Sequence, residues 1–188
     1  GDANFIEKFD RLFKIEEKVE GEEASPDISG LIGQYAQGNE PSHHIPYLYA
    51  FVGQPWKTAE IVREVFDKFY TTKPDGICGN EDVGQMSAWY VLSSMGFYAV
   101  NPANGIYVMG SPAVDEATIH YKPTISFKMI AVNNSAANKY IQKVEYNGKS
   151  YTKSYITHDM IVKGGELQLY MGSAPSKTFG VAKTDRPL

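Results

Sequence analysis

The chain of 188 residues is nearly without cysteine. Cys78 stands alone, so an internal disulfide is excluded and cysteine usage assigns no redox compartment. A run of basic residues with interleaved aromatics is also missing, and the net charge is −4 with a pI near 5.6. That balance excludes the electrostatic footprint of a nucleic-acid surface. No apolar run is long enough to span a bilayer and no stretch reads as a signal peptide, so no membrane insertion is expected. What is present is ample material for a core: 43% of residues are hydrophobic and 13% aromatic, which excludes a disordered chain. Thirteen tyrosines, nine phenylalanines and two tryptophans exceed what packing usually requires. Aromatic rings with polar tips commonly line sugar or peptide clefts.

The first half of the chain reads as helical. Phe5, Ile6, Phe9, Leu12 and Phe13 recur at helical spacing with Glu7, Lys8, Asp10 and Arg11 opposite them, and Asp2 is placed to cap that helix. The chain enters this helix directly after Gly1-Asp2, as a piece of a longer polypeptide would. Residues 16 to 26 are charged, end in Ser25-Pro26 and read as a surface loop. Ile28, Leu31, Ile32 and Tyr35 suggest a short helix, interrupted by Gly30 and Gly33. A helix from Ser42 through Phe51 to Gly53 is expected next. The clearest helix follows Gly53-Gln54-Pro55, with Ile61, Val62, Val65, Phe66 and Phe69 on its apolar face. Another starts at Asp82 or Val83 and stops at Gly96.

Beyond Pro102 the period becomes alternating. Strands are expected over 106–109, 117–121, 125–132, 141–146, 151–156, 160–162 and 167–171, with Asn147-Gly148 favouring a type I′ hairpin. Two regions follow from this reading, a helical one over 1–101 and a β-rich one over 102–188. The class is α+β, with antiparallel helices preceding an antiparallel sheet or sandwich.

Two polar turns carry the chemistry: Gly38-Asn39-Glu40-Pro41-Ser42-His43-His44 and Gly79-Asn80-Glu81-Asp82-Val83-Gly84-Gln85. Each presents carboxylate and amide groups in a glycine-flanked turn ahead of a helical pattern, and the two can converge on one site. The plain alternative for Asp82 is a capping box with Gln85, in which the carboxylate only begins a helix. Three consecutive polar residues at Asn80, Glu81 and Asp82 exceed what a cap needs. Zinc on His43 and His44 is disfavoured, because neighbours on a helix point about 100° apart and share no face. Glu40, Glu81 and Asp82, with Asn39, Asn80 and Gln85, are hard oxygen donors suited to calcium. Carboxylates on separate loops can also divide the acid and base work of glycoside hydrolysis.

These two turns, together with Gly53-Gln54-Pro55-Trp56-Lys57-Thr58, the continuation Met86-Ser87-Ala88-Trp89-Tyr90 and Gly96-Phe97-Tyr98, closely resemble glycoside hydrolase family 92. The resemblance is dense from about residue 28 to Pro112 and thins in the strand-rich tail. It implies a calcium-dependent, inverting exo-α-mannosidase acting on α-1,2-linked mannose of N-glycans or mannans, periplasmic or extracellular. It also implies that the helices form part of an (α/α)6 toroid. Asp82 then matches the catalytic base, and Asn80 stands where some relatives carry a second acid. Asn39, Glu40 and Gln85 are implied in holding calcium, and Glu40, His43, His44 and Trp89 in lining or buttressing the sugar subsite. The general acid is expected on a missing N-terminal part of the same polypeptide, which would leave this chain inactive alone. A non-catalytic carbohydrate-binding or scaffold module is the competing class.

Overall fold

The computed structural model describes residues 1–15 and 28–187, so the loop expected over 16–26 lies outside the described residues. The amphipathic stripe at the start winds into α1 (Asp2–Leu12), with Gly1 rather than Asp2 at the N-cap position and Phe5 stacked on Phe9 one turn later. The helix expected around Ile28–Tyr35 is instead a small hairpin of β1 (Leu31–Ile32) and β2 (Tyr35–Ala36). Gly33 decides this: its φ of +60° suits a tight turn and not a helix, and a Cβ there would meet the Leu12 carbonyl oxygen at 2.4 Å.

The next segment winds more tightly than expected. Residues Glu40–Ser42 and Ile45–Val52 form two 3-10 helices, the second ending at Gly53. Helix α2 (Pro55–Phe69) follows the expected apolar face, and α3 (Gln85–Ser94) begins two or three residues later than the sequence suggests.

Strands then dominate. An unexpected β3 (Phe97–Asn101) pairs with β4 (Ile106–Met109). After β5 (Glu116–Lys122), β6 (Ile125–Val132) and β7 (Tyr140–Tyr146), the strand expected over 151–156 divides into β8 (Lys149–Tyr151) and β9 (Tyr155–Thr157). Asn147 and Gly148 have φ of 51° and 72°, the left-handed pair that a type I′ turn needs. The strand expected over 160–162 is a helix, α4 (His158–Lys163), laced by an Asp159–Lys163 ion pair at 2.9 Å. The last strand is β10 (Gly165–Gly172).

The strands form a three-stranded sheet in the order β3-β4-β9 and a five-stranded one in the order β5-β6-β10-β7-β8. The larger sheet is mixed rather than antiparallel, because β10 runs parallel to β6 while pairing antiparallel with β7. Alternate residues Phe127, Met129 and Ala131 of β6 and Leu167, Leu169 and Met171 of β10 face one core with Ile141 and Val144. The protein is thus a mixed helix-and-sheet fold.

Packing divides the chain into two compact units, Gly1–Ile45 with Glu64–Tyr90, and Pro46–Arg63 with Val91–Leu188. This line cuts across the change of period at residue 102. In the second unit the half-buried Arg63 guanidinium donates to Ser111 Oγ at 2.8 Å, Asn134 Oδ1 at 2.5 Å and the Pro112 carbonyl, while Ser111 donates to the Lys139 carbonyl at 2.8 Å. One planar cation thereby gathers several loop acceptors. Arg63→Ala is expected to lower stability by about 1.5–3 kcal/mol in urea unfolding. Arg63→Lys should recover only part of this, because a point charge cannot span the same acceptors.

Candidate functional site

The polar turns at 39–44 and 79–85 belong to the first unit, and a backbone contact holds them together. Gly79 has a φ of +79°, and a Cβ on it would lie 2.6 Å from the Gly38 carbonyl oxygen and 2.8 Å from the Gly38 Cα. Only a glycine at 79 allows the main chains to approach this closely, while a Cβ on Gly38 would instead meet Ser29 Oγ at 2.1 Å.

Beyond Gly79 the chain makes an unusual turn. Asp82, Val83 and Gly84 have φ of 47°, 58° and 93°, three successive left-handed residues. Such a conformation is strained for a β-branched residue, yet Val83 is fully exposed. The turn decides which carboxylate caps α3. Glu81, not Asp82, accepts from the Ser87 backbone N–H at 2.9 Å and from the Ser87 hydroxyl at 2.8 Å. Asp82 instead reaches Glu40 across the gap between the turns. That hydrogen bond is the first cause holding the Glu40 carboxyl below its ordinary value; its backbone N–H and the nearby His43 act in the same direction and partial burial opposes them. Both carboxylates are accessible to solvent, Asp82 more than Glu40. Two carboxyl groups share such a contact only while a proton or another cation sits between them.

Behind the turns lies a buried polar frame that the sequence reading overlooked. Gln37 is 0% exposed; its side chain accepts from the Tyr35 hydroxyl and donates to Tyr70 Oη at 3.0 Å, and Tyr70 donates in turn to the Met86 carbonyl at 3.3 Å. The only signal in the sequence was a glutamine beside a polar turn, which is indistinguishable from a surface residue. The Gln37 carbonyl receives His43 Nε2 at 2.9 Å, and His43 Nδ1 meets Gln85 Nε2 at 3.2 Å. Trp89 donates its indole N–H to the His43 carbonyl at 3.0 Å and stacks on Tyr70.

This geometry sorts the residues singled out from the sequence. Glu40 and Asp82 are brought together, and Gln85 stands beside them, its backbone N–H donating to the Asp82 carbonyl at 3.2 Å. Asn39 opens the first turn without capping it, and half-buried His44 follows His43. His43 and Trp89, 1% and 0% exposed, stand behind the turn, where they can buttress but not line a surface, the second of the two roles the resemblance implies. Among the described residues no cluster of three or more histidine, cysteine or acidic side chains forms a ready metal cage. The donors that remain are hard: two facing carboxylates and the neighbouring amides of Asn39 and Gln85. Both His43 ring nitrogens are already engaged, so the set fits calcium chemistry and not zinc. Cys78 is no nucleophile, as burial pushes its thiol up to about 11.

Two outcomes are expected. Gly79→Ala should lower stability by about 1–3 kcal/mol, measured by thermal unfolding, since it adds both a clash and a left-handed alanine. Burial holds His43 below the ordinary histidine value. The unfolded chain therefore takes up a proton near pH 6.5 that the folded chain refuses. The His43 contribution to stability is complete above about pH 6.5 and is lost as pH falls below it. His43→Gln should flatten that part of the stability profile.

Comparison with known proteins gives the site its context. Residues 1–173 match the model of the glycosyl hydrolase family 92 catalytic domain. The fold superposes on the family GH92 alpha-mannosidase BT3965 from Bacteroides thetaiotaomicron, solved in complex with mannoimidazole, with a TM-score of 0.93 and 39% identity over 100% of this chain and 25% of that one. The family GH92 inverting mannosidase BT2199 from the same organism gives a TM-score of 0.85 at 38% identity, over 100% of this chain and 26% of that one. A protein of Arthroderma benhamiae described as an uncharacterized secreted glycosidase is 29% identical over 153 residues, 80% of this chain and 20% of its own length. The chain thus spans about a quarter or less of the relatives it matches. With the family model covering nearly the whole sequence and the fold shared from end to end, the chain belongs to glycoside hydrolase family 92.

Proposed function

We propose that this chain supplies the base side of the sugar site in an inverting, calcium-dependent exo-α-mannosidase that removes terminal α-1,2-linked mannose from N-glycans or mannans. The carrying observation is the Glu40–Asp82 pair, two solvent-facing carboxylates from separate turns. Family membership and the alpha-mannosidase relatives support the reaction class.

The pair also limits the roles its members can take. In an inverting glycosidase the acid and base stand roughly 6.5–9.5 Å apart, leaving room for the attacking water. Glu40 and Asp82 are within hydrogen-bonding reach of each other, so they are not that acid and base. Asp82 acts as the base, drawing a proton from the water, and Glu40 serves the binding side. The general acid then lies on a part of the polypeptide outside this chain, and the chain by itself is inactive. Glu40, Asn39 and Gln85 would hold the cation, with His44 toward the sugar. When bound, calcium supplies a hard positive charge that offsets the paired carboxylates and attracts sugar hydroxyls.

The helices belong to an (α/α)6 toroid in this reading, and the strands to an adjoining β-sandwich. The secreted relative supports an extracellular or periplasmic location, and among the described residues no helix is long and apolar enough to cross a membrane.

In the intact protein, Asp82→Ala should lower kcat for mannose release by about a hundredfold to ten-thousandfold. Calcium-dependent glycan binding should persist, and excess EDTA should abolish turnover of the unmodified enzyme. Near-normal rates in the variant would remove Asp82 as the base, and indifference to chelation would remove calcium. Binding without any mannose release by the intact protein would favour the non-catalytic module.

A further inference from the structure

We infer that Gln37 is a positioning residue: through its main-chain carbonyl and its side-chain amide it ties together the far ends of the two carboxylate turns, and so sets how closely Asp82 and Glu40 approach. The inference deepens the sugar-site reading and rests on it for its catalytic meaning.

Each turn is fastened at two ends. Where the turns begin, the main chain at Gly79 lies against Gly38. Where they end, both lead back to Gln37. Its carbonyl oxygen lies 2.9 Å from Nε2 of His43, at the close of the first turn. A carbonyl only accepts, so Nε2 carries the proton. The Gln37 amide nitrogen donates to Tyr70 Oη at 3.0 Å, and Tyr70 donates at 3.3 Å to the carbonyl of Met86, in the first turn of α3. The phenol has one proton and the Met86 carbonyl takes it, so the Tyr70 oxygen accepts and Gln37 must present its N–H. The Tyr35 hydroxyl on Gln37 Oε1 fixes the same amide orientation from the other side.

The circuit closes on itself. Trp89, further along α3, donates its indole N–H to the His43 carbonyl at 3.0 Å and stacks on Tyr70 with ring centroids 5.8 Å apart and planes 14° from parallel. Gln37, His43, Met86 and Trp89 are each at most 1% exposed, and a buried, satisfied amide is locked in one rotamer. Such a lock has a purpose here. When Glu40 and Asp82 are both ionised they repel, and the opposing restraint comes from the glycine contact at one end of the turns and from Gln37 at the other. One dipeptide, Gln37-Gly38, thereby holds both turns at both ends.

Hydrogen exchange of the intact protein, without substrate or added calcium, tests the tie. Gln37→Met removes the amide and keeps the main-chain carbonyl; Tyr70→Phe removes only the relaying hydroxyl and keeps the ring. In both, the Gln85 and Met86 amide protons, bonded to the Asp82 and Glu81 carbonyls, should exchange about tenfold faster or more. Arg63→Ala, in the other unit, is the control for lost stability and should leave those protons near their unmodified rate. Unchanged exchange in Tyr70→Phe, or equal acceleration in Arg63→Ala, would overturn the inference whatever the protein does to mannose. In the activity arm, both frame variants should lower kcat for mannose release about ten- to hundredfold with a smaller change in KM, because a displaced base loses rate rather than binding. Full kcat in a variant whose turn exchanges faster would reduce Gln37 to packing. An unmodified intact protein that released no mannose would overturn the sugar-site reading alone, and the exchange rates would still decide the tie.

Discussion

The close approach of the Gly38 and Gly79 main chains is the constraint on which the site depends. It denies a side chain to Gly79, which also sits at a positive φ. In return, turns some forty residues apart in sequence meet with their polar residues on one side. A hydrogen bond between flexible side chains could not hold the turns so rigidly, because each side chain would sacrifice rotamer entropy for a modest net gain. Backbone contact between glycines adds no rotamers to freeze.

Around that contact, polar groups divide by depth. Gln37, His43 and Trp89 are buried, and their hydrogen bonds are directed at carbonyls, hydroxyls and one another. Glu40 and Asp82 are outermost, open to solvent. Buried polar groups are tolerable when satisfied, and a satisfied network has a single geometry. The frame is therefore rigid, while the paired carboxylates at its edge keep the electrostatic tension that a proton or cation relieves. The strained turn at Asp82 and Val83 belongs to the same design. By letting Glu81 cap α3, it turns the adjacent carboxylate toward Glu40.

Much of the local structure was legible in the residues. The apolar stripes of α1 and α2 and the alternation in β6 and β10 depend only on neighbours along the chain, and periodicity reports them faithfully. Reading failed where a short apolar run had to be assigned without a period. Ile28–Tyr35 became a hairpin because Gly33 turns left-handed, and Met160–Val162 became helical inside a segment whose Asp159 and Lys163 sit one turn apart. The parallel pairing of β10 with β6 was equally hidden, since alternation is the same in parallel and antiparallel strands.

By itself the sequence determined the mixed helix-and-sheet class, the family and the two turns that bear the carboxylates, because these reside in residue identity and spacing. Only the tertiary structure decided that Glu81 caps while Asp82 faces Glu40, that His43 and Trp89 stand behind the turn, and that Gln37 anchors His43. The physical reason is that a side chain's role follows from what lies across from it. For these residues, the opposing partner is in every case a group brought near by the meeting of distant segments.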